Sequence, residues 1–338
     1  MKAIVFDSRD YDRVALNSAN APFGHQFTFV ESRLDPTTAA LAHGFPAVIP
    51  FVNDQLDAAT LKILVQEGVR LIAMRCTGVN NLDLATAHRL GLQIVHAPTY
   101  SPHSVADYVF ALLLSLVRRI PQAYNRVRDN NFSVEGLVGF DLHGKTLGLI
   151  GAGRIGREVA RIGHGFGCAV IAYDPFPAAP SADGPPIRFV PLDTAIAEAD
   201  ILSLHAPLTP ENHHLIDAER LAAMKPGVIL INTSRGGLID TDALIAALKE
   251  RRVGGVGLDV YEREASVFYS DLSDDILTDD TLARLLTFRN VLVTSHMGFL
   301  TREALADIAG ATLANLSAFE ENKPLTHEIK RDDVRARR

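Results

Sequence analysis

Short apolar runs and helical patterns alternate through the first hundred residues. Residues 3–6, 47–51, 71–74 and 93–96 read as strands, and 60–67 and 82–90 as helices between them. This alternation predicts a parallel sheet with helices on both faces, because each crossover between parallel strands needs a covering element. From Ser101-Pro102 a long helical pattern runs to Arg119, with proline at an early helical position where its missing N–H is not needed. It reads as a helix crossing between domains. The strand pattern resumes near 146–150, 169–173, 201–205, 228–232, 254–259 and 291–295. Six strands are what a complete doubly wound dinucleotide sheet uses. Residues 303–321 read as one more helix.

Composition sets the outer bounds. A chain of 338 residues has room for about two domains. At 47% hydrophobic and 22% charged it has the balance of a globular protein with a sizeable core. A net charge of −7 and a pI near 5.9 supply no general attraction to nucleic acid or to an anionic membrane surface, so neither is expected as a partner. The longest apolar run, 108–117, is too short to span a bilayer. The N-terminus turns polar at Asp7 and does not read as a signal peptide. Cys76 and Cys168 lie among apolar residues and read as buried thiols of a reducing compartment. A cytoplasmic protein is the expectation, with the basic stretch 330–338 as a solvated tail.

The most specific local signal is Lys145-Thr-Leu-Gly-Leu-Ile-Gly151-Ala-Gly153-Arg-Ile-Gly156. A strand pattern ends in glycines at the spacing G-x-G-x-x-G and a helix pattern follows. Gly151 allows a tight turn, Gly153 lets backbone approach a pyrophosphate, and Gly156 permits close helix–strand packing. Glycine-rich turns also occur for structural reasons alone. Here the strand before, the helix after and Asp174, 18 residues past Gly156, select dinucleotide binding. Residues 1–100 contain no such fingerprint. They are read as a substrate domain that residues 299–338 return to complete, with 101–298 as the dinucleotide-binding domain.

Ligands of open α/β sheets collect beyond the carboxyl ends of the strands, which directs attention to polar residues just after them. Arg235 follows the 228–232 pattern and precedes Gly236-Gly237; its planar fork of donors matches a carboxylate. An arbitrary arginine pairs with a surface acid, and its strand-end position is what favours function. His296 ends Asn290-Val-Leu-Val-Thr-Ser-His and can give and take a proton near neutral pH, although a lone histidine is more often structural. Glu264 is a surface acid on its own; beside His296 it would stabilise the imidazolium and raise its pKa. A guanidinium holding a carboxylate, a histidine protonating a carbonyl and a nicotinamide delivering hydride amount to reduction of a 2-oxo acid to a 2-hydroxy acid. No metal is required, and the adjacent His213 and His214 read as surface residues.

Further motifs make a fuller resemblance. They are Phe51-Val-Asn-Asp54, Arg75-Cys-Thr-Gly-Val-Asn-Asn-Leu-Asp83, Tyr100-Ser-Pro-His-Ser-Val-Ala-Asp107 and Asn131-Phe-Ser-Val-Glu-Gly136. His205-Ala-Pro-Leu-Thr-Pro-Glu-Asn212, Asn232-Thr-Ser-Arg-Gly-Gly237, Gly257-Leu-Asp-Val-Tyr-Glu262 and His296-Met-Gly-Phe-Leu-Thr301 complete the set. Over nearly its whole length the chain resembles the D-isomer-specific 2-hydroxyacid dehydrogenase family, and within it the fermentative D-lactate dehydrogenases. The resemblance implies an α/β fold of two doubly wound parallel-sheet domains, a Rossmann NAD-binding domain inserted in a flavodoxin-like substrate domain. It implies a catalytic set of Arg235, Glu264 and His296. It implies NAD contacts at the glycine turn, Arg154, Ile155, Asp174, Ala206, Pro207, Asn212, Thr233, Ser234, Arg235 and Asp259. Substrate contacts follow at Thr77, Gly78, Val79, Arg235 and His296, with Tyr100 and Phe299 shaping the pocket.

The same resemblance implies closure of a cleft between domains and a homodimer or homotetramer built on the NAD domain. The expected partner is a short 2-oxo or 2-hydroxy acid, pyruvate first. Alternatives are a bulkier oxo acid such as phenylpyruvate or 2-oxoisocaproate, or an NADH-sensing corepressor-like protein. Thr77 and Val79 stand where relatives often carry Ala and an aromatic, and Met297-Gly298 replace a polar residue and Ala. These departures bear on the preferred substrate.

Overall fold

A computed structural model of the chain describes residues 1–98, 101–177, 184 and 186–330; Tyr100 and the basic stretch 331–338 lie outside the described residues. The chain forms two compact units, Met1–Ser101 with the return from Phe299, and Pro102–Gly298.

In the first unit the order is β1 (Lys2–Val5), α1 (Asp10–Ala19), β2 (Gln26–Phe29), β3 (Ala47–Ile49), α2 (Ala58–Gln66), β4 (Leu71–Ala73), α3 (Leu84–Arg89) and β5 (Gln93–Val95). The strands pair in parallel in the order β2-β1-β3-β4-β5, which is the flavodoxin-like order. β3 and β4 are buried at every position, as strands covered on both faces are. Helix α2 begins two residues before the predicted 60, because Asp57 caps it by accepting from the Ala59 and Thr60 N–H groups. Strand β2 and helix α1 escape the sequence reading. β2 alternates exposed with half-buried residues at the sheet edge and has no continuous apolar run to reveal it.

The second unit runs α4 (Pro102–Val117), α5 (Ile120–Arg128), β6 (Thr146–Ile150), α6 (Arg154–Gly165), β7 (Ala169–Tyr173), β8 (Arg188–Phe189) and α7 (Leu192–Glu198). It continues with β9 (Ile201–Leu204), α8 (Ala218–Ala223), β10 (Val228–Asn232), α9 (Thr241–Lys249), β11 (Val253–Leu258), α10 (Asp280–Leu286) and β12 (Val291–Val293). The sheet order is β12-β11-β10-β9-β6-β7-β8, all parallel. It has seven strands rather than six. The added β8 is two exposed residues at the edge, too short and too polar to carry a strand pattern. The predicted helix to Arg119 stops at Val117, since Arg119 turns left-handed at φ 53° and starts α5. The apolar face of α4 (Val109, Phe110, Leu113, Leu116) packs in one core with Leu147, Leu149 and Val170 of the second unit's sheet. After Gly298 the last helix, α11 (Arg302–Glu320), joins the first unit and buries Ala309, Leu313 and Leu316 against Val5, Ile49, Leu71 and Leu16.

Both cysteines are buried, and neither forms a disulfide among the described residues. Among the described residues no helix is long and apolar enough to cross a membrane.

Candidate active site

Parallel pairing puts the carboxyl ends of β6, β7, β9, β10, β11 and β12 on one side of the sheet, and the candidate residues of the second unit follow those ends. The glycine turn leaves β6. Gly151 sits at φ 95°, and a Cβ there would lie 2.7 Å from the His205 carbonyl oxygen; a Cβ on Gly156 would lie 2.3 Å from the Gly151 oxygen. Neither position accepts a side chain. A Cβ on Gly153 would meet nothing within 4 Å, so the space in front of the turn is open. Helix α6 opens at Gly153 with no side-chain cap, which presents the positive end of its dipole to that space.

Asp174, at the end of β7, accepts from the Ala152 N–H and the Phe176 N–H, both at 2.8 Å. It therefore ties the glycine turn to the neighbouring strand while each oxygen keeps acceptor capacity. Arg154 is exposed at the mouth of α6 and Ile155 half-buried behind it. After β9, the Ala206 carbonyl accepts from Ser234 Oγ at 2.5 Å, and the Asn212 amide closes its own turn onto the Pro207 carbonyl at 2.7 Å. Thr233 Oγ1 is buried and has no hydrogen-bond partner among the described residues. A buried hydroxyl without a partner, after β10 of the same sheet whose β6 carries the open glycine turn, fits a bound dinucleotide supplying the missing bond.

Asn232, fully buried at the end of β10, accepts from the Ser234 N–H at 3.0 Å and donates to the Arg235 carbonyl at 2.9 Å. That turn holds the backbone from which the Arg235 side chain departs. The guanidinium donates to the Ser234 carbonyl at 2.6 Å and forms no ion pair among the described residues. Its remaining donors are available to an anion. Gly236 is pressed on the loop after β11, where a Cβ would lie 2.3 Å from the Glu262 nitrogen.

His296 and Glu264 meet. The His296 Nδ1 lies 2.8 Å from Glu264 Oε1, and Glu264 Oε2 accepts from the Tyr261 N–H at 2.9 Å. His296 is at φ 53°, a left-handed conformation that costs a side-chain-bearing residue roughly 1–2 kcal/mol. Two bonds at 2.7 Å hold it there, from its N–H to the Asp259 carbonyl and from the Tyr269 hydroxyl to its own carbonyl. The Asp259 carboxylate accepts from Thr294 Oγ1 and from the Met297 and Gly298 N–H groups. Burial pushes the Asp259 carboxyl above its usual range, while those hydrogen bonds and nearby His296 draw it back. Asp259, read from the sequence as an NAD contact, thus also clamps the His296 loop. Tyr269 and Asn232 were not singled out as site residues; a tyrosine in a loop and an asparagine at a strand end carry no sequence signal of their contacts.

The family model for the D-isomer specific 2-hydroxyacid dehydrogenase NAD binding domain matches residues 110–298, over half of the chain. The chain belongs to the D-isomer-specific 2-hydroxyacid dehydrogenase family. A 2-hydroxyacid dehydrogenase homolog of Zymomonas mobilis is 48% identical over 96% of this chain and 98% of its own. The D-lactate dehydrogenase of Escherichia coli is 45% identical over 97% of this chain and 100% of its own. The apo-structure of D-lactate dehydrogenase from Escherichia coli superposes with a TM-score of 0.89 at 43% identity, covering 98% of this chain and 100% of that one. This dehydrogenase is an NAD-dependent oxidoreductase with two parallel-sheet α/β domains.

Other parts of the expected site fall in the first unit. Thr77 donates to the Ala97 carbonyl at 2.9 Å, Gly78 accepts from Cys76 Sγ, and Val79 is buried. Phe299 packs on Phe51 with ring centroids 5.8 Å apart, and Arg75 covers Phe51 at 4.4 Å. Of the adjacent histidines read as surface residues, His213 is exposed, but His214 is half-buried and bonded to Glu262. Its side chain stays 34% exposed, so both histidines remain at the surface, His214 with a left-handed backbone at φ 55°.

Proposed function

We propose that this dehydrogenase reduces a short 2-oxo acid, pyruvate first, to the D-2-hydroxy acid with NADH, reversibly. The observation that carries the reading is the Glu264–His296 pair at 2.8 Å, held in a left-handed turn beyond β12, with the Arg235 guanidinium, in no ion pair among the described residues, beyond β10 of the same sheet. Arg235 binds the substrate carboxylate through two parallel N–H bonds and polarises the carbonyl. His296 donates a proton to the carbonyl oxygen in reduction and accepts it in oxidation. Glu264 orients the imidazole through Nδ1 and leaves Nε2 for the substrate. NAD would be held by the glycine turn, Asp174, Thr233 and Asp259, and when bound it supplies or takes the hydride. Thr77, Gly78, Val79 and Phe299 contact the substrate in this reading. The identity to a protein named D-lactate dehydrogenase supports pyruvate among the short oxo acids.

Initial rates with NADH across pyruvate, 2-oxobutyrate, phenylpyruvate, 2-oxoisocaproate, glyoxylate and hydroxypyruvate test the proposal, with the product's chirality checked. The highest kcat/KM is expected for pyruvate, giving D-lactate. A higher value for phenylpyruvate or 2-oxoisocaproate would move the assignment to the bulkier acids. NADH binding without turnover of any of them would favour a corepressor-like role. Asp174 should accept the adenosine ribose hydroxyls and repel a 2′-phosphate, so NADPH is expected to be the poorer reductant in the same assay. Equal use of both would remove that role from Asp174.

The same proposal makes the protein a homo-oligomer, at least a dimer. Ile120, Tyr124, Val127, Phe132, Val134 and Val138 form an apolar stretch of the second unit, with Phe132 73% and Val138 86% exposed. A stretch of this kind fits burial against a second copy. Light scattering after size exclusion should give a dimer or tetramer, and Phe132→Asp with Val138→Asp should give monomers; a wild-type monomer would end the idea.

A further inference from the structure

His213, His214 and Glu262 stand apart from the residues assigned to the reaction. Among the described residues they are the one group of three metal-ligating side chains whose donor atoms lie within 4.8 Å of one another. The two imidazoles stack with centroids 3.9 Å apart, and both direct Nε2 toward the same oxygen, Glu262 Oε1, at 2.5 Å from His214 and 4.0 Å from His213. A proton between His214 and the carboxylate satisfies that pair and leaves His213 too far for a hydrogen bond. A tetrahedral cation with bonds of roughly 2.0–2.1 Å asks for ligand separations of about 3.3 Å, between the two distances seen. Small rotations about flexible side chains would equalise them.

The surroundings are those of a supported ligand set. Thr241 Oγ1 donates to Glu262 Oε2 at 3.0 Å and so fixes the carboxylate, leaving Oε1 for the cation. The other ring nitrogen of His214, Nδ1, faces Asp240 Oδ2 at 3.9 Å, beyond hydrogen-bond reach but close enough to add negative charge beside the ligand set. The backbone is tied down as well, since the His214 N–H donates to the Gly237 carbonyl at 2.8 Å. Two imidazoles and one carboxylate suit zinc and its neighbours rather than calcium or magnesium, which take oxygen ligands.

We propose that His213, His214 and Glu262 bind one zinc-class divalent cation, with water in the fourth position. Bound there, the cation ties the segment before β10 to the loop after β11, against which Gly236 is pressed, and stiffens the backbone on which Arg235 stands. The cation takes no part in the reaction, and the site does not rest on the substrate assignment.

Chelator-treated protein titrated with Zn²⁺ against a chromogenic zinc indicator tests this, with the thermal midpoint as a second readout. One equivalent of zinc per chain is expected, with the midpoint rising as zinc is added. His213→Ala and His214→Ala should each weaken zinc binding at least about tenfold, and Thr241→Val should weaken it less. His43→Ala, which removes an exposed histidine paired with Glu67 at 2.7 Å, should leave it unchanged. Glu262→Gln keeps the shape of the side chain, so loss of zinc binding with the zinc-free midpoint preserved would assign the carboxylate without a folding defect. Stoichiometry below one, or equal zinc affinity in the two histidine variants and wild type, overturns the site.

Discussion

Replacing Arg235 by lysine is expected to lower kcat/KM for the 2-oxo acid by about a hundredfold to a thousandfold, with KM raised and kcat reduced together. Lysine keeps the positive charge, so any difference isolates geometry. The guanidinium offers donors in a fixed plane; one Nη1–H is spent on the Ser234 carbonyl at 2.6 Å, and the others remain for a bidentate grip on a carboxylate. An ammonium holds the carboxylate as a point charge and loses the orientation that brings the carbonyl to the proton donor. The Asn232 turn that fixes the Arg235 backbone is untouched by the substitution, so the thermal midpoint should not move. Steady-state kinetics of the purified variant give the answer, and unchanged kcat and KM would return Arg235 to a structural role.

The second large effect belongs to His296. His296→Asn should reduce kcat by about a hundredfold to ten-thousandfold in both directions, the span general acid–base catalysis supplies. Asparagine is the chosen replacement because it tolerates the left-handed backbone at φ 53° and leaves the bonds to Asp259 and Tyr269 in place. Glu264→Gln tests how the same ring is oriented. The Glu264 carboxylate lies 2.8 Å from Nδ1 and fixes which nitrogen faces it, whereas an amide can present either its oxygen or its NH2 group. With the tautomer no longer fixed, kcat should fall in both directions. Unchanged kcat would take Glu264 out of the proton transfer.

The elements that carry these residues were readable because their signals are local. The strands over 146–150, 169–173 and 228–232 are continuous apolar runs, and the structure places β6, β7 and β10 at those bounds. Others end one or two residues sooner, as β9 does at Leu204 and β12 at Val293, because the ladder stops where the site loops begin. Gly151 and Gly156 meet a steric need within the turn, where a Cβ would press on backbone, while Gly153 leaves the space in front of it open. Strands β2 and β8 were not readable, since β2 alternates exposed with half-buried residues and β8 is two exposed residues, so neither carries an apolar run.

The chain's own pattern, without coordinates, determines the alternation of strand and helix, the place of the dinucleotide turn and the polar residues at strand ends. Each of these depends on residues within one turn or one strand of each other. Tertiary structure decides the rest. Parallel pairing of β9, β10, β11 and β12 brings together loops separated by dozens of residues, and only there does Glu264 meet His296 or Glu262 meet His214. The left-handed turn at His296 and its clamp by Asp259 and Tyr269 depend on that meeting too. Hydrogen bonds of this kind form between groups that the register makes neighbours, and the register is a property of the whole sheet.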